Sequence, residues 1–462
     1  MIKNFDDILD NRIGYGKYQI ISLILISLVD FDDGVQLVLM PLITPIIKEE
    51  WGLSITSISI LTSVFYLGMC FGAFITGRIA DNNGRRYSLV HSSFIQCLCS
   101  LLFWIVNDVY TMILVRFIYG FIFGFSLPLT TSMISEITPL KYRGKMLVTI
   151  NFFLTFGKLY GCMIAYIFLD NMYTGNWKGM MAFSALTPLT VFLFTYFFLK
   201  ESPRFLLAAS RFEEAFEVLN FMILKNNKEG EILKEEEKKI LIDFQKNTFN
   251  MEEKASLKSL FNSKYFITTI GLLVLWFSIN FMYYGQLVIL PFLVGTSQKG
   301  LDQMMITILG ETPSLILTLF LIDKPMFGRK NSLMICFSIS GILNLISYFL
   351  PKDHMAISFA VSRFFMKECF AFLYAFTSES YGTLNRTLGY GVSCAVGRMG
   401  ASIMPLILFP LYEVDNYSCF LCFCFLSFIS AFACKKIKHD TTGRNLDLIE
   451  VESISYELIE KK

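Results

Sequence analysis

The chain has 462 residues, 54% of them hydrophobic and only 17% charged, with a mean hydropathy of +0.54 and a formal net charge of +2. A soluble domain carries about 25% charged residues, so much of this surface faces something other than water. The near-neutral balance excludes the basic footprint of a nucleic-acid partner. No nucleophile–base set or metal-ligand cluster marks an enzyme: His91, His354 and His439 lie in loops or at the ends of apolar runs.

Taken in order, twelve apolar stretches recur, at 18–46, 57–80, 87–106, 110–135, 146–169, 180–199, 265–293, 304–322, 332–350, 355–376, 391–411 and 417–434. Each is near the ~20 residues that cross a bilayer core. The first residues are polar and the first run continues into a span, so no cleavable leader is expected. The expected organisation is a bundle at 1–200, a charged linker at 201–264, a second bundle at 265–434 and a polar tail at 435–462. In the linker Phe212, Phe216 and Leu219 recur at helical spacing, which predicts short surface helices. Most cysteines, including Cys419 and Cys422, sit inside apolar runs and are expected to be small packing residues.

The halves repeat. Glu136 and Arg143 follow the fourth run, and Glu379 and Arg386 follow the tenth with the same spacing, 243 positions later. Ahead of each lies a second matching turn: Asp81-Asn-Asn-Gly84-Arg85-Arg86, and Asp323 followed by Gly328-Arg329-Lys330. Duplicated membrane bundles are a common transporter design, with substrate held between the repeats. Gly84 permits a tight turn, Asp81 can face a helix N-terminus, and Arg85 and Arg86 are expected to anchor at headgroups. Lys and Arg concentrate in the loops on one side, which places both termini and the linker in the cytoplasm, of a plasma or an intracellular membrane.

Ionisable residues inside spans are functional candidates by default. Span one holds Asp30, Asp32 and Asp33 beside Gln36. Neighbours on a helix lie ~100° apart, so at most one or two of these carboxylates share a cavity; Asp33 is preferred, with Asp30 one turn away. Span seven carries Tyr283, Tyr284 and Gln286, and span eight Glu311-Thr-Pro313. Arg398 is some eight residues into span eleven, ~12 Å deep. Arg116, Arg363, Lys158, Lys367 and Glu368 are buried charges open to either ion pairing or ligand contact. Gly68-x-x-x-Gly72 and Gly120-x-x-x-Gly124 are expected helix contacts.

These turns, together with Glu201-Ser-Pro-Arg204, resemble the major facilitator superfamily over nearly the whole chain. They are most similar to the branch of sugar porters, synaptic-vesicle-two-related proteins and organic ion carriers. The resemblance implies an all-α integral membrane fold of twelve transmembrane helices in two six-helix bundles. It also implies a gating salt-bridge network, carried over onto Asp81, Arg85, Arg86, Glu136, Arg143, Glu201, Arg204, Asp323, Arg329, Lys330, Glu379 and Arg386. One departure is that the Asp323–Gly328 turn is two residues longer than Asp81–Gly84. Asp33-Gly34-Val35-Gln36 resembles an Asp-Gly-Val-Glu motif of the vesicle proteins, and Tyr283-Tyr284-Gly285 an aromatic segment lining the substrate path. Glu311-Thr-Pro313 resembles a Glu-x-Pro motif of the organic ion and vesicle branches. Arg398 stands where anion carriers of the family have Arg and cation carriers tend to have an acid.

The expected function is therefore alternating-access transport of a small organic anion, an aromatic monocarboxylate being one candidate, by a monomer without cofactor or metal. Asp33, Gln36, Tyr283, Tyr284, Gln286, Glu311 and Arg398 are the expected substrate residues. Asp30, Asp33, Glu311 and Glu368 are the candidates for a coupling proton. A sugar or polyol carrier, an organic cation carrier and a non-transporting receptor remain as alternatives. Against the sugar reading, Phe277-Ser-Ile-Asn280 stands where sugar porters have paired glutamines.

Overall fold

A computed structural model of the chain describes residues 5–228, 232–235, 237–239, 241–242, 257–263, 265–294, 299–321, 328–381 and 383–437, which are almost entirely α-helical. Spans one to six are Lys17–Trp51, Ile55–Asn83, Arg85–Leu102, Val109–Ile137, Leu140–Phe168 and Trp177–Phe198. Spans seven to twelve are Phe266–Val294, Lys299–Leu309 with Thr312–Leu321, Arg329–Phe349, Lys352–Glu379, Thr383–Val414 and Ser418–Lys436. Among the described residues, nine helices are long and apolar enough to cross a membrane. The spans outside that set are one, eight and ten, which carry Asp30, Asp32 and Asp33, Glu311, and Arg363, Lys367 and Glu368. All seven of those side chains are buried. Charge in mid-span, rather than lack of length, sets spans one and ten apart.

Three boundaries differ from the sequence expectation for identifiable reasons. Span one continues through Pro41 and Pro45 to Trp51; in a span, neighbouring helices can re-satisfy the carbonyls that proline frees. Span eight is broken, with Gly310 and Glu311 between its two helices. Pro313 cannot donate to the preceding turn, but it fits the first turn of the helix that starts at Thr312. Span eleven begins at Thr383 rather than 391, so Arg398 is fifteen residues from its start, ~22 Å along the axis.

The described residues form two compact units. The first comprises those within Met1–Leu39, Gly68–Phe168 and Asn176–Glu252, and the second those within Met40–Leu67, Leu169–Gly175 and Glu253–Lys462. In the first, the predicted linker helix forms at Phe212–Lys225 and buries Phe216 and Leu219, with Pro203–Ala208 just before it. Burial pushes Glu237 up, but the Lys234 amide and the Arg12 guanidinium hold it below the usual carboxylate range.

Glycines set the helix spacing in both units. A Cβ on Gly72 would lie 1.8 Å from the Phe121 carbonyl oxygen, and one on Gly124 2.0 Å from that of Met69, so spans two and four touch backbone to backbone. Spans one and five meet in the same way, Gly157 against the Phe31 carbonyl at 1.9 Å and Gly34 against that of Leu154 at 2.1 Å. In the second unit Gly400 meets the Phe277 carbonyl at 2.5 Å. Gly157 and Gly400 are 243 positions apart, so the repeat seen in the charged turns extends to packing. Gly157→Ala is expected to push spans one and five apart and destabilise by about 1–3 kcal/mol. A lowered melting temperature of the purified protein measures it.

Candidate functional site

In the first unit, span one projects its carboxylates toward different neighbours, as a 100° step requires. Asp32 accepts a 2.5 Å hydrogen bond from Thr187 Oγ1 of span six. Asp33, fully buried, accepts from Gln96 Nε2 of span three and Ser126 Oγ of span four, both at 3.2 Å. Gln36 donates to Ser184 Oγ at 3.2 Å. Asp33 thus joins spans one, three and four through neutral donors alone. Gln96, Ser126 and Thr187 carry no charge, and no sequence signal separates them from ordinary polar core residues.

The second unit holds a tighter set. Arg363 of span ten and Glu311 at the break in span eight are completely buried and form an ion pair through Arg363 Nε, 2.7 Å from Glu311 Oε1, and Arg363 Nη2. Tyr283 Oη donates to Glu311 Oε2 at 2.9 Å, while Arg363 Nη1 donates to the Tyr283 carbonyl at 3.0 Å. The guanidinium also lies 4.4 Å from the centre of the Tyr283 ring. The break in span eight therefore puts Glu311 where both partners reach it. Arg363, open between pairing and ligand contact on sequence, is an ion-pair partner. Gln286 is held separately, by Ser362 Oγ at 2.9 Å and Asn344 Oδ1 at 3.3 Å. Tyr284 packs against Tyr283 and Tyr66. Glu368 accepts from Thr318 Oγ1 at 3.0 Å.

Arg398 is different. It is half-buried near the middle of a 32-residue helix, and its guanidinium makes no hydrogen bond or ion pair among the described residues. Helical side chains lean toward the N-terminus and meet residues four positions earlier, which aims Arg398 along the Cys394–Tyr390 face. Around Tyr390 lies an aromatic group that the sequence did not single out. Trp276 is 6.1 Å from Tyr390 and 4.9 Å from Tyr374, and Phe370 is 5.0 Å from Tyr283, centre to centre. The Trp276 indole donates to Thr377 Oγ1 at 2.9 Å, which fixes the ring. A cation without a partner among the described residues can take a small anion, and aromatic faces further along the same helix suit a ring. Among the described residues no group of His, Cys, Asp and Glu is arranged to hold a metal.

The charged turns are engaged, mostly with partners distant in sequence. Gly84 takes φ +102°, as a tight turn requires. Arg85 folds inward to Glu136 at 3.2 Å and Asp81 at 3.0 Å instead of reaching for headgroups, and Arg86 donates to the Tyr196 carbonyl at 2.6 Å. Asp81 is largely exposed, so it is not the residue facing a helix N-terminus. Glu201 does that, accepting from the Arg85 and Arg86 amides at 3.0 Å each. Glu136 also accepts from Ser202 Oγ. Arg143 and Arg204 both turn to Asp6, at 3.2 and 2.8 Å. In the second unit Arg329 pairs with Glu379, and Lys330 donates to the Ile437 carbonyl at 2.5 Å. Arg386 Nε and Nη2 find no partner among the described residues, and Asp323 lies outside them. Glu201→Ala removes the acceptor at the start of span three. It is expected to cost about 1–2 kcal/mol, read as a lower melting temperature, with Glu201→Gln milder because the amide still accepts.

Comparison with known proteins places these features. The family described as Sugar (and other) transporter matches residues 35–452. The chain is 27% identical to the synaptic vesicle 2-related protein of Xenopus laevis, covering 94% of this chain and 80% of that one. It is 25% identical to organic cation/carnitine transporter 7 of Arabidopsis thaliana, over 94% of each chain. With the niacin transporter NiaP of Acinetobacter baylyi it shares 23% identity over 94% of this chain and 97% of that one. Among solved structures, the inward open conformation of the xylose transporter XylE from E. coli superposes with a TM-score of 0.75 at 16% identity, covering 93% and 98% of the two chains. The fold is that of the major facilitator superfamily.

Proposed function

We propose that this chain, which belongs to the Sugar (and other) transporter family, carries a small organic anion of the aromatic monocarboxylate class by alternating access. The observation that carries the reading is Arg398, a mid-helix cation with no protein partner among the described residues, two turns along its helix from Tyr390, whose ring packs with Trp276 and Tyr374. A guanidinium fork matches a carboxylate in two parallel hydrogen bonds, and flat aromatic faces suit a ring. The similarity to a niacin transporter supports the same class, since nicotinic acid is a small aromatic monocarboxylate. In this reading Tyr283, Tyr284 and Gln286 of the second unit and Gln36 of the first are further substrate candidates. Asp33 is the leading candidate for a coupling proton because it meets only neutral donors, with Asp30 and Glu368 behind it. Glu311 is committed to Arg363 and becomes a structural partner of that arginine. The basic turns face the cytoplasm, following the placement of Lys and Arg.

A second reading has one observation in its favour. Aromatic faces also hold quaternary ammonium groups, and one relative is described as an organic cation/carnitine transporter. Proteoliposomes loaded with and without an inward proton gradient separate the two, using labelled nicotinate as tracer and benzoate, carnitine, tetraethylammonium and xylose as competitors. The anion reading expects benzoate to compete, xylose not to, and the gradient to raise uptake. Competition by tetraethylammonium alone favours the cation carrier. Absence of flux for every solute favours a receptor with a transporter fold.

A further inference from the structure

The charged turns leave one carboxylate unaccounted for by any sequence motif. Asp6 Oδ1 accepts from Arg143 Nη2 at 3.2 Å and from Arg204 Nη2 at 2.8 Å. Those arginines belong to different chain segments, the turn opening span five and the start of the linker. Neither reaches the glutamate nearest to it in sequence: Glu136 is held by Arg85 and Ser202, and Glu201 by the amides of Arg85 and Arg86. One partly buried acid thus ties two segments together.

The segment that presents Asp6 is built to stay in place. A short helical turn at Phe5–Asp7 runs into a π-helix at Ile8–Ile13, closed by Gly14 at φ +62° with its amide donating to the Leu9 carbonyl at 2.8 Å. Phe5, Ile8, Leu9 and Ile13 are buried in one core with Phe205, Leu206, Phe216 and Leu219. The Arg204 guanidinium lies 5.0 Å over the Phe5 ring. Asp10 Oδ1 accepts from the Leu140 amide at 2.9 Å, at the first residue of span five, where a carboxylate also complements the helix dipole. Arg12 pairs with Glu237 at 2.5 Å, and Tyr15 stacks on Tyr142 at 4.6 Å. The apolar side chains anchor the segment, while its ionic contacts stay open to water: Asp6 is 31% exposed and Arg204 42%. Pairs that keep access to water are individually weak, and so suited to forming and breaking.

We infer that residues 5–13 are a clasp and that Asp6 is a positioning residue, holding Arg143 and Arg204 in register and thereby biasing the carrier between its conformations. The inference rests on the alternating-access reading above. A carboxylate shared by two segments is satisfied only while both stand in one arrangement, so it shifts the population toward that arrangement.

Hydrogen exchange of the full-length protein in nanodiscs tests the clasp without any substrate. Asp6→Asn is expected to speed exchange about threefold to tenfold in peptides covering 138–146 and 202–209, leaving 5–13 protected by its apolar anchor. Asp6→Glu keeps the charge and is expected to behave as wild type, whereas Leu9→Asp frees 5–13 as well. In proteoliposomes Asp6→Asn is expected to move the apparent KM for nicotinate in opposite directions on the two faces, as a population shift does. A merely destabilised protein changes both alike. Exchange in Asp6→Asn indistinguishable from wild type, or equal KM changes on both faces, overturns the inference. Loss of all flux in wild type overturns the transport reading instead, and exchange still decides the clasp.

Discussion

Arg363→Leu is expected to abolish transport and to lower the melting temperature sharply, because it takes the ion-pair partner from a fully buried Glu311. Both members of the pair are completely buried, and Arg363 also serves the Tyr283 carbonyl at 3.0 Å. Removing one partner of a buried pair costs about 3–5 kcal/mol, since the survivor must stay charged without compensation or neutralise. The lost guanidinium–ring contact with Tyr283 adds to this. Glu311→Gln is expected to be milder, because an amide oxygen still accepts from Arg363. The informative variant is the double change Glu311→Leu with Arg363→Met. Buried pairs replaced by apolar residues of similar volume are often neutral or stabilising, so melting measured by intrinsic fluorescence is expected to return to near wild type. Uptake in liposomes then reports what the charges do beyond folding. Recovered stability with uptake still lost assigns the pair to the transport cycle, whereas recovery of both makes it structural.

Much of this fold is legible in sequence because a bilayer restricts what a chain can do. Backbone groups in hydrocarbon must be satisfied within the segment, so apolar runs of the right length become helices with little competition from other structure. The glycine motifs are equally readable: the close approaches of Gly72 and Gly124 match their spacing in spans two and four. What the apolar pattern does not contain is where a helix breaks inside a continuous run. Span eight reads as one segment by hydropathy, yet it is two helices with Glu311 between them. Pro313 is the available signal, since proline fits the first turn of a helix and not its interior.

The site was legible in its charges and not in its partners. Glu311, Arg363, Asp33 and Arg398 stand out because ionisable residues in a span are costly. Gln96 and Ser126, the neutral partners of Asp33, and Thr187, that of Asp32, are ordinary residues whose significance comes from three-dimensional placement. The charged turns show the same limit. Charge sign and the repeated spacing name the network's members without saying who pairs with whom: Glu136 takes Arg85, and Arg143 takes Asp6. The path of the backbone decides who meets whom. The first residues, polar and without a motif, carried no sign that Asp6 would join it.

Arg398→Ala is expected to reduce uptake of an aromatic monocarboxylate by about a hundredfold or more, with little change in melting temperature. The two halves of that expectation have separate physical origins. Hydrogen bonds to a charged group contribute about 1.5–3 kcal/mol each, and a bidentate fork provides two of them to one carboxylate. Stability, by contrast, draws nothing from an ion pair that the protein does not make: no partner engages the guanidinium among the described residues, so truncation removes only the packing of the side-chain stem. This reverses the pattern for Arg363, where stability falls because the charge is already satisfied internally. Arg398→Lys is expected to fall between wild type and alanine, keeping the charge but losing the planar fork. Trp276→Ala provides a further control. It removes the face against Tyr374 and Tyr390, so it is expected to weaken aromatic acids more than acetate or propionate. If Arg398→Ala takes up nicotinate at the wild-type rate, Arg398 is not the carboxylate's partner, which must then be sought among the buried cations Arg116, Lys158 and Lys367.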